Sequence, residues 1–90
     1  MRQLMTEQDV LGVIARHLTT TLEPPPDAPV TAETRLVDDL ALDSLQSFEL
    51  LAVLEDHYRM TLSIELLQDV RTVGDVARVV AGALARQSAR

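Results

Sequence analysis

Apolar residues recur at helical spacing in three stretches of this chain, separated by polar and proline-rich segments. Val10, Leu11, Ile14, Leu18 and Leu22 keep to one face, while Glu7, Asp9 and Arg16 fall on others, which predicts a first helix from about Thr6 to Leu22. Thr6 with Asp9 three residues later is a capping-box pattern with a shorter acid than usual. A second helix is expected from Ser44 to about His57 or Tyr58. Leu45, Phe48, Leu51 or Ala52, and Tyr58 line one side of it, Leu50 and Leu54 widen the stripe, and Gln46, Glu49, Glu55 and Asp56 keep to the wetter side. Asp43 is its expected N-cap, with Gln46 three residues on to reach back. Ser63 opens a brief third helix from Ile64 to about Gln68. The last helix enters through Thr72-Val73-Gly74-Asp75, another capping-box pattern, and carries Val73, Val76, Ala77, Val80, Ala81 and Leu84 at helical spacing. Arg78 and Arg86 suit the negative pole at its far end, and residues 87–90 read as a frayed tail.

Glu23-Pro24-Pro25-Pro26-Asp27-Ala28-Pro29 cannot continue the first helix, because each proline lacks an amide proton and drives its predecessor toward extended geometry. A connection this long, running to Asp43, is uncommon in a small domain unless it is functional or disordered. Leu36, Val37, Leu40 and Leu42 suggest that it is pinned to the core. The expected fold is all-α: a small antiparallel bundle of three main helices and one short one with a long first loop. It forms one domain over residues 1–90, with its core at about 6–84.

Composition narrows this further. Ninety residues bury only about 60% of the surface of the unfolded chain, so stability should be modest. Apolar residues make up 47% of the chain but include one Phe, one Tyr and no Trp, which favours aliphatic helix packing over a β-sandwich. The net charge is −6, and it is uneven: between Asp38 and Asp69 eight acids stand against the single base Arg59. Such a field repels phosphate backbones and attracts basic protein surfaces, which argues against nucleic acid as a partner. No apolar run reaches the length of a membrane span, and Met1-Arg2-Gln3-Leu4-Met5 lacks the features of a signal peptide, so a cytoplasmic protein is expected. All eight basic residues are Arg, read as compositional bias and not as mechanism.

With no cysteine and two histidines, thiol or metal chemistry would have to come from an added group. Ser44 is the residue placed to accept one, since its hydroxyl stands where an exposed loop becomes a helix. A negative group there would meet unpaired amide protons and the positive helix pole. As an isolated tripeptide Asp43-Ser44-Leu45 says little, because Ser and Asp are favoured at helix starts anyway. In context it says more. Asp38-Asp39-Leu40, Asp43-Ser44-Leu45, Glu49-Leu50 and Glu55, followed by the Thr72-Val73-Gly74-Asp75-Val76 entry to the last helix, resemble the acyl carrier proteins over roughly residues 6 to 84.

That resemblance implies a free-standing carrier, not itself an enzyme, that holds acyl groups as thioesters on a 4′-phosphopantetheine arm attached to Ser44 between Asp43 and Leu45. It implies as partners a phosphopantetheinyl transferase with coenzyme A, an acyl- or aminoacyl-activating ligase, and acyl-processing or condensing enzymes. Their basic patches would dock on Asp39, Asp43, Glu49, Glu55 and Asp56, although any one of these acids is more simply a solvated charge. Phe48, Leu51, Ala52, Leu62 and Val70 are candidates for a cleft that shelters the cargo, with plain core as the simpler reading of an apolar stripe. A buried methylene is worth up to about 0.8 kcal/mol, so an eight-carbon chain gains roughly 6 kcal/mol before the cost of opening the core. Phe48 is bulkier than the Val often found at its position and would narrow the cleft.

Three departures bear on the pathway. Ala41-Leu42 replaces the usual Gly-containing pair, Leu62-Ser63 stands where Ile-Pro is common, and Gln46 stands where an acid is common. They point toward a specialised fatty-acid, polyketide or lipopeptide pathway. A free-standing peptidyl or aminoacyl carrier of nonribosomal peptide synthesis is the nearest alternative, and an unmodified acidic helical adaptor the alternative of another class. A hydrolase built on Ser44 has no histidine and acid arranged to activate it, and neither His17 nor His57 shows a ligand or base pattern. The carrier is expected to be a monomer.

Overall fold

Thr6 starts the first helix through reciprocal bonds: the Asp9 amide donates to the Thr6 hydroxyl at 3.2 Å, and the Thr6 amide donates to the Asp9 carboxylate at 3.1 Å. In the computed structural model, which describes residues 6–88, this helix is α1, Glu7–Thr21. It is followed by α2, Ser44–Tyr58, a 3₁₀ helix, Ile64–Leu67, and α3, Val73–Ser88. Three α-helices, not four, make the bundle, because the third expected helix is a single 3₁₀ turn opened by the Ser63 hydroxyl. Among the described residues there is no strand, only an isolated antiparallel bridge between Arg35 and Thr72. The last helix runs past Leu84 and takes in Gln87, which the sequence assigned to a frayed tail; Ala89 and Arg90 of that tail, and the Met1 to Met5 segment, lie outside the described residues.

Val10, Ile14 and Leu18 of α1 pack on Val73, Val76, Ala77 and Val80 of α3, and Leu50, Leu51 and Leu54 of α2 close the core. Leu42 and Leu62 add to it from the two connections. Each such aliphatic side chain contributes about 1.5–3 kcal/mol when fully buried, and no aromatic residue is among them. The stripe expected on α2 is partly corrected: Leu45 is 66% and Phe48 53% exposed, and Ala52 is exposed too. Apolar residues surround most of this helix, so spacing alone fits two faces, and the core takes the one through Leu50, Leu51 and Leu54. Val37, expected to pin the loop, is also exposed, while Leu36 and Leu40 are half-buried.

Backbone bonds, more than side chains, fix the long loop. The amides of Val73 and Gly74, the first two of α3, donate to the carbonyls of Thr34 and Ala32, and the Leu36 amide donates back to the Arg71 carbonyl, all at 2.9 Å. Helix-start amides that would otherwise be orphaned are thereby satisfied by the loop. A tight turn follows, with the Leu40 amide on the Arg35 carbonyl and the Leu42 amide on the Leu36 carbonyl. It delivers the chain to Asp43.

Asp75 locks the same junction from the helix side. Its carboxylate is held down to about 2 from an ordinary 3.8, first by the hydrogen bond from the Arg71 amide, then by the Arg78 guanidinium and the Thr72 amide. A depressed carboxylate adds stability above its unfolded pKa and loses it as the pH falls through the folded one. Asp75→Asn is therefore expected to melt below the wild type at pH 7, with the gap closing between pH 4 and 2; a pH series of thermal melts measures it. At Gly74 a Cβ would stand 2.9 Å from both the Cβ and the carbonyl oxygen of Ala32. Overpacking costs about 1–3 kcal/mol, against roughly 1 kcal/mol gained in helix propensity. Gly74→Ala should consequently lower the melting temperature, and an unchanged or higher value would show that loop and helix are not held this close.

Candidate functional site

Ser44 is the first residue of α2 and is exposed. Asp43 caps the helix ahead of it: its carboxylate accepts from the Gln46 amide at 2.8 Å, its carbonyl accepts from the Ser47 amide at 3.0 Å, and the Gln46 side chain accepts from the Asp43 amide at 3.1 Å. The amides of Ser44 and Leu45 meet no acceptor among the described residues, in contrast to the corresponding amides of α3. An anion on the Ser44 oxygen would thus sit beside two unspent donors at the positive end of a 15-residue helix.

The approach to Ser44 is shaped by the two residues before it. Ala41 adopts a left-handed conformation with φ of 54°, and its amide donates to the Val37 carbonyl at 2.9 Å. This turns Leu42 into the core and leaves Asp43 and Ser44 on the surface. The geometry is one glycine adopts without strain, whereas alanine pays roughly 1–2 kcal/mol for it.

A cleft of about 660 Å³ opens beside Ser44. The loop supplies Arg35, Leu36, Val37, Asp38 and Asp43; α2 supplies Ser44, Ser47, Phe48 and Leu50; Ile64, Leu67, Gln68, Val70 and Arg71 form the opposite wall, and Leu42 and Val76 lie toward the core. Two of the five expected cleft residues, Phe48 and Val70, line it. Leu51 and Leu62 instead belong to the buried core, and Ala52 faces solvent. Phe48, Val37 and Ile64 are exposed on the cleft walls, so with Leu45 beside Ser44 they surround the serine with apolar surface.

The acids proposed for partner recognition divide into two groups. Asp39 accepts from the Arg35 amide at 2.7 Å and from its guanidinium, and these bonds lower its pKa. Glu55 accepts from the Leu62 amide at 2.7 Å and so ties the end of α2 to the following segment. Asp43 is spent on its cap. Glu49 and Asp56 are exposed and, among the described residues, hold no hydrogen bond or ion pair. Sequence spacing showed the cap but not the other two roles, which depend on the loop's turn and on the path after Tyr58. His57 packs edge-on against Tyr58 at 4.7 Å, and His17 is half-buried on α1. The Tyr58 hydroxyl is buried without a partner among the described residues, and desolvation, followed by the nearby Asp9 charge, raises its pKa.

Comparison with known proteins agrees with this geometry. The family profile described as the phosphopantetheine attachment site matches residues 8–80. The meromycolate extension acyl carrier protein of Mycobacterium leprae is 35% identical over 78 residues, or 84% of this chain, and the chain spans 65% of the length of that relative. The protein of the same name from Mycolicibacterium smegmatis is 35% identical over 77 residues, covering 83% of this chain and 75% of its own. Among solved structures, a proposed acyl carrier protein of Mycobacterium tuberculosis superposes with a TM-score of 0.64 at 39% identity, covering 86% of this chain and 96% of its own. The holo acyl carrier protein of Geobacter metallireducens gives 0.69 at 30% identity, covering 90% and 92%.

Since strain at Ala41 is not needed for any contact its side chain makes at the site, Ala41→Gly should relieve it at the cost of some chain entropy. The expected net gain is about 0.5–1 kcal/mol, a rise of roughly 3–8 °C in melting temperature. Calorimetry of the two proteins would show it, and a loss of stability would mean that the left-handed turn does not persist in solution.

Proposed function

Because this chain belongs to the phosphopantetheine-attachment family of acyl carrier proteins, in which a covalent 4′-phosphopantetheine arm carries acyl groups as thioesters, we propose that Ser44 is its attachment residue. The observation that carries this reading is the exposure of Ser44 at the first position of α2, on the rim of the cleft. Attachment joins the Ser44 oxygen to the phosphate of coenzyme A next to pantetheine and releases 3′,5′-ADP, with the hydroxyl proton taken up by the transferase. Asp43 keeps the helix start closed during this exchange without using the Ser44 and Leu45 amides, which remain to face the phosphodiester. When bound, the arm supplies the thiol that the chain lacks.

The rest of the site supports a carrier and not an enzyme. Leu36, Leu42, Leu50, Leu67, Val70 and Val76 offer an apolar bed for the arm and the start of a cargo chain. The cleft lies within the roughly 300–1,000 Å³ range of ligand pockets. Partner enzymes, the transferase and any ligase among them, would meet the apolar ring of Val37, Leu45, Phe48 and Ile64, with Glu49 and Asp56 pairing to basic groups on their surfaces. The names of the mycobacterial relatives suggest acyl chains undergoing extension in a specialised fatty-acid pathway, and we extend that class of cargo to this chain. No helix of the described residues is long and apolar enough to cross a membrane. A monomeric, single-domain carrier working in the cytoplasm completes the proposal.

Incubation of the pure protein with coenzyme A, magnesium and a broad-specificity phosphopantetheinyl transferase should add the mass of one phosphopantetheinyl group to the wild type and none to Ser44→Ala. Ser44→Ala should lose no more than about 1 kcal/mol of stability, since Asp43 remains the cap. A folded wild type that gains no mass would instead favour an unmodified adaptor.

A further inference from the structure

Two arginines, Arg35 and Arg71, are among the residues lining the largely apolar cleft beside Ser44, and they differ in what faces them. Arg35 is spoken for: it pairs with Asp39 at 3.3 Å and with Asp38 at 3.6 Å. Arg71 stands on the wall opposite α2, next to Gln68 and Val70. Among the described residues its guanidinium has neither an acid within 4.0 Å nor a hydrogen-bond acceptor. The nearest candidate in sequence, Asp75, already accepts from the Arg71 amide and gives its other oxygen to Arg78 at 2.7 Å. Arg71 is thus an uncompensated cation lining the cleft that begins at the modified serine.

An Arg placed this way is poorly explained as packing. A side chain needed only to wall off aliphatic residues would be aliphatic, and although Arg16, Arg59 and Arg86 also lack an acid partner among the described residues, Arg71 differs from them in lining the cleft. Its planar fork of donors suits an oxyanion, and the flanking Gln68 can add a further donor.

We propose that Arg71 is a specificity-determining residue of the cleft, binding an anionic group borne by the arm or its cargo, so that the site favours acyl chains with a terminal carboxylate over plain alkyl chains of equal length. This rests on attachment at Ser44. The same chemistry has two sources within reach of one tether, the phosphodiester at its root and a carboxylate at the tip of the acyl group, and an experiment separates them.

Wild type and Arg71→Gln are each loaded from coenzyme A, octanoyl-coenzyme A and suberyl-coenzyme A, whose eight-carbon chains differ only in the terminal carboxylate. Intact mass confirms loading first; if no group is added, the Ser44 reading fails and not this one. In the loaded proteins the suberyl form of the wild type should melt above the octanoyl form by roughly 5 °C, and Arg71→Gln should abolish that difference. If Arg71 instead holds the phosphodiester, suberyl and octanoyl forms melt alike, and the substitution shifts the ³¹P resonance of all three loaded forms. Loss of the carboxylate preference with an unchanged ³¹P signal supports the proposal. A phosphodiester effect alone overturns the cargo preference, and no effect on either readout overturns the site. Apo Arg71→Gln, melted alongside, reports any general loss of stability.

Discussion

Every helix begins with amides that have no partner within the helix, and the way this chain meets that requirement organises the molecule. At α3 the loop itself supplies the acceptors, with the carbonyls of Thr34 and Ala32 set over Val73 and Gly74. Glycine at position 74 is what allows so close an approach. Without this clip, the 22 residues between α1 and α2 would have only the buried Leu42 and a few half-buried apolar side chains to hold them. With it, the turn from Arg35 to Leu42 is fixed in space, and so are Asp43 and Ser44. At α2 the requirement is met only halfway, by Asp43 and Gln46, and the two remaining donors lie where a phosphodiester would be attached.

The cleft follows from the same geometry. α1 and α3 bury their aliphatic stripes against one another, while α2 contributes only Leu50, Leu51 and Leu54 to the shared core. Its first two turns stand off, held at one end by the cap and at the other by the Glu55 bond to the Leu62 amide. The space left between them and the 3₁₀ helix is the cleft, lined largely but not wholly by apolar side chains. The chain leaves this space open beside Ser44 instead of closing it with side chains. Phe48 illustrates the choice, since it lies on the cleft wall, half exposed, in place of entering the core.

Much of this was legible in the sequence because helix starts are local. Thr6 with Asp9, Asp43 with Gln46, and Thr72 with Asp75 are pairs three residues apart, so neighbouring letters determine them, and all three form. The order of elements and the position of Ser44 follow from those starts. What spacing did not reveal depends on contacts distant along the chain. Leu45 and Phe48 share a helical rhythm that fits the core equally well, and only the packing of α1 and α3 selects Leu50, Leu51 and Leu54 instead. Leu51 and Leu62, cleft candidates for which plain core was the simpler reading, are core. Arg71 looked like one of eight arginines until the loop and the 3₁₀ segment were brought around it.

The acidity of the central segment also takes on a different meaning once the bonds are known. Eight acids give the segment its negative field, and of the five expected to dock partners Asp39, Asp43 and Glu55 each also hold the backbone. Arg35, which lies just before the segment, offsets one of the charges. Attraction over a Debye length of about 8–10 Å depends on net charge and survives this pairing, so basic partners are still drawn to the region. Close contact is another matter, because a carboxylate that already braces an amide offers a partner only its remaining lone pairs. Of the acids uncommitted among the described residues, Glu49 and Asp56 lie on α2 itself, with the exposed Leu45 and Phe48 on the same helix, and Asp69 lies between the 3₁₀ helix and α3. Long-range steering is therefore a property of the whole segment, whereas Glu49 and Asp56, free for close contact, lie on the helix that begins at Ser44.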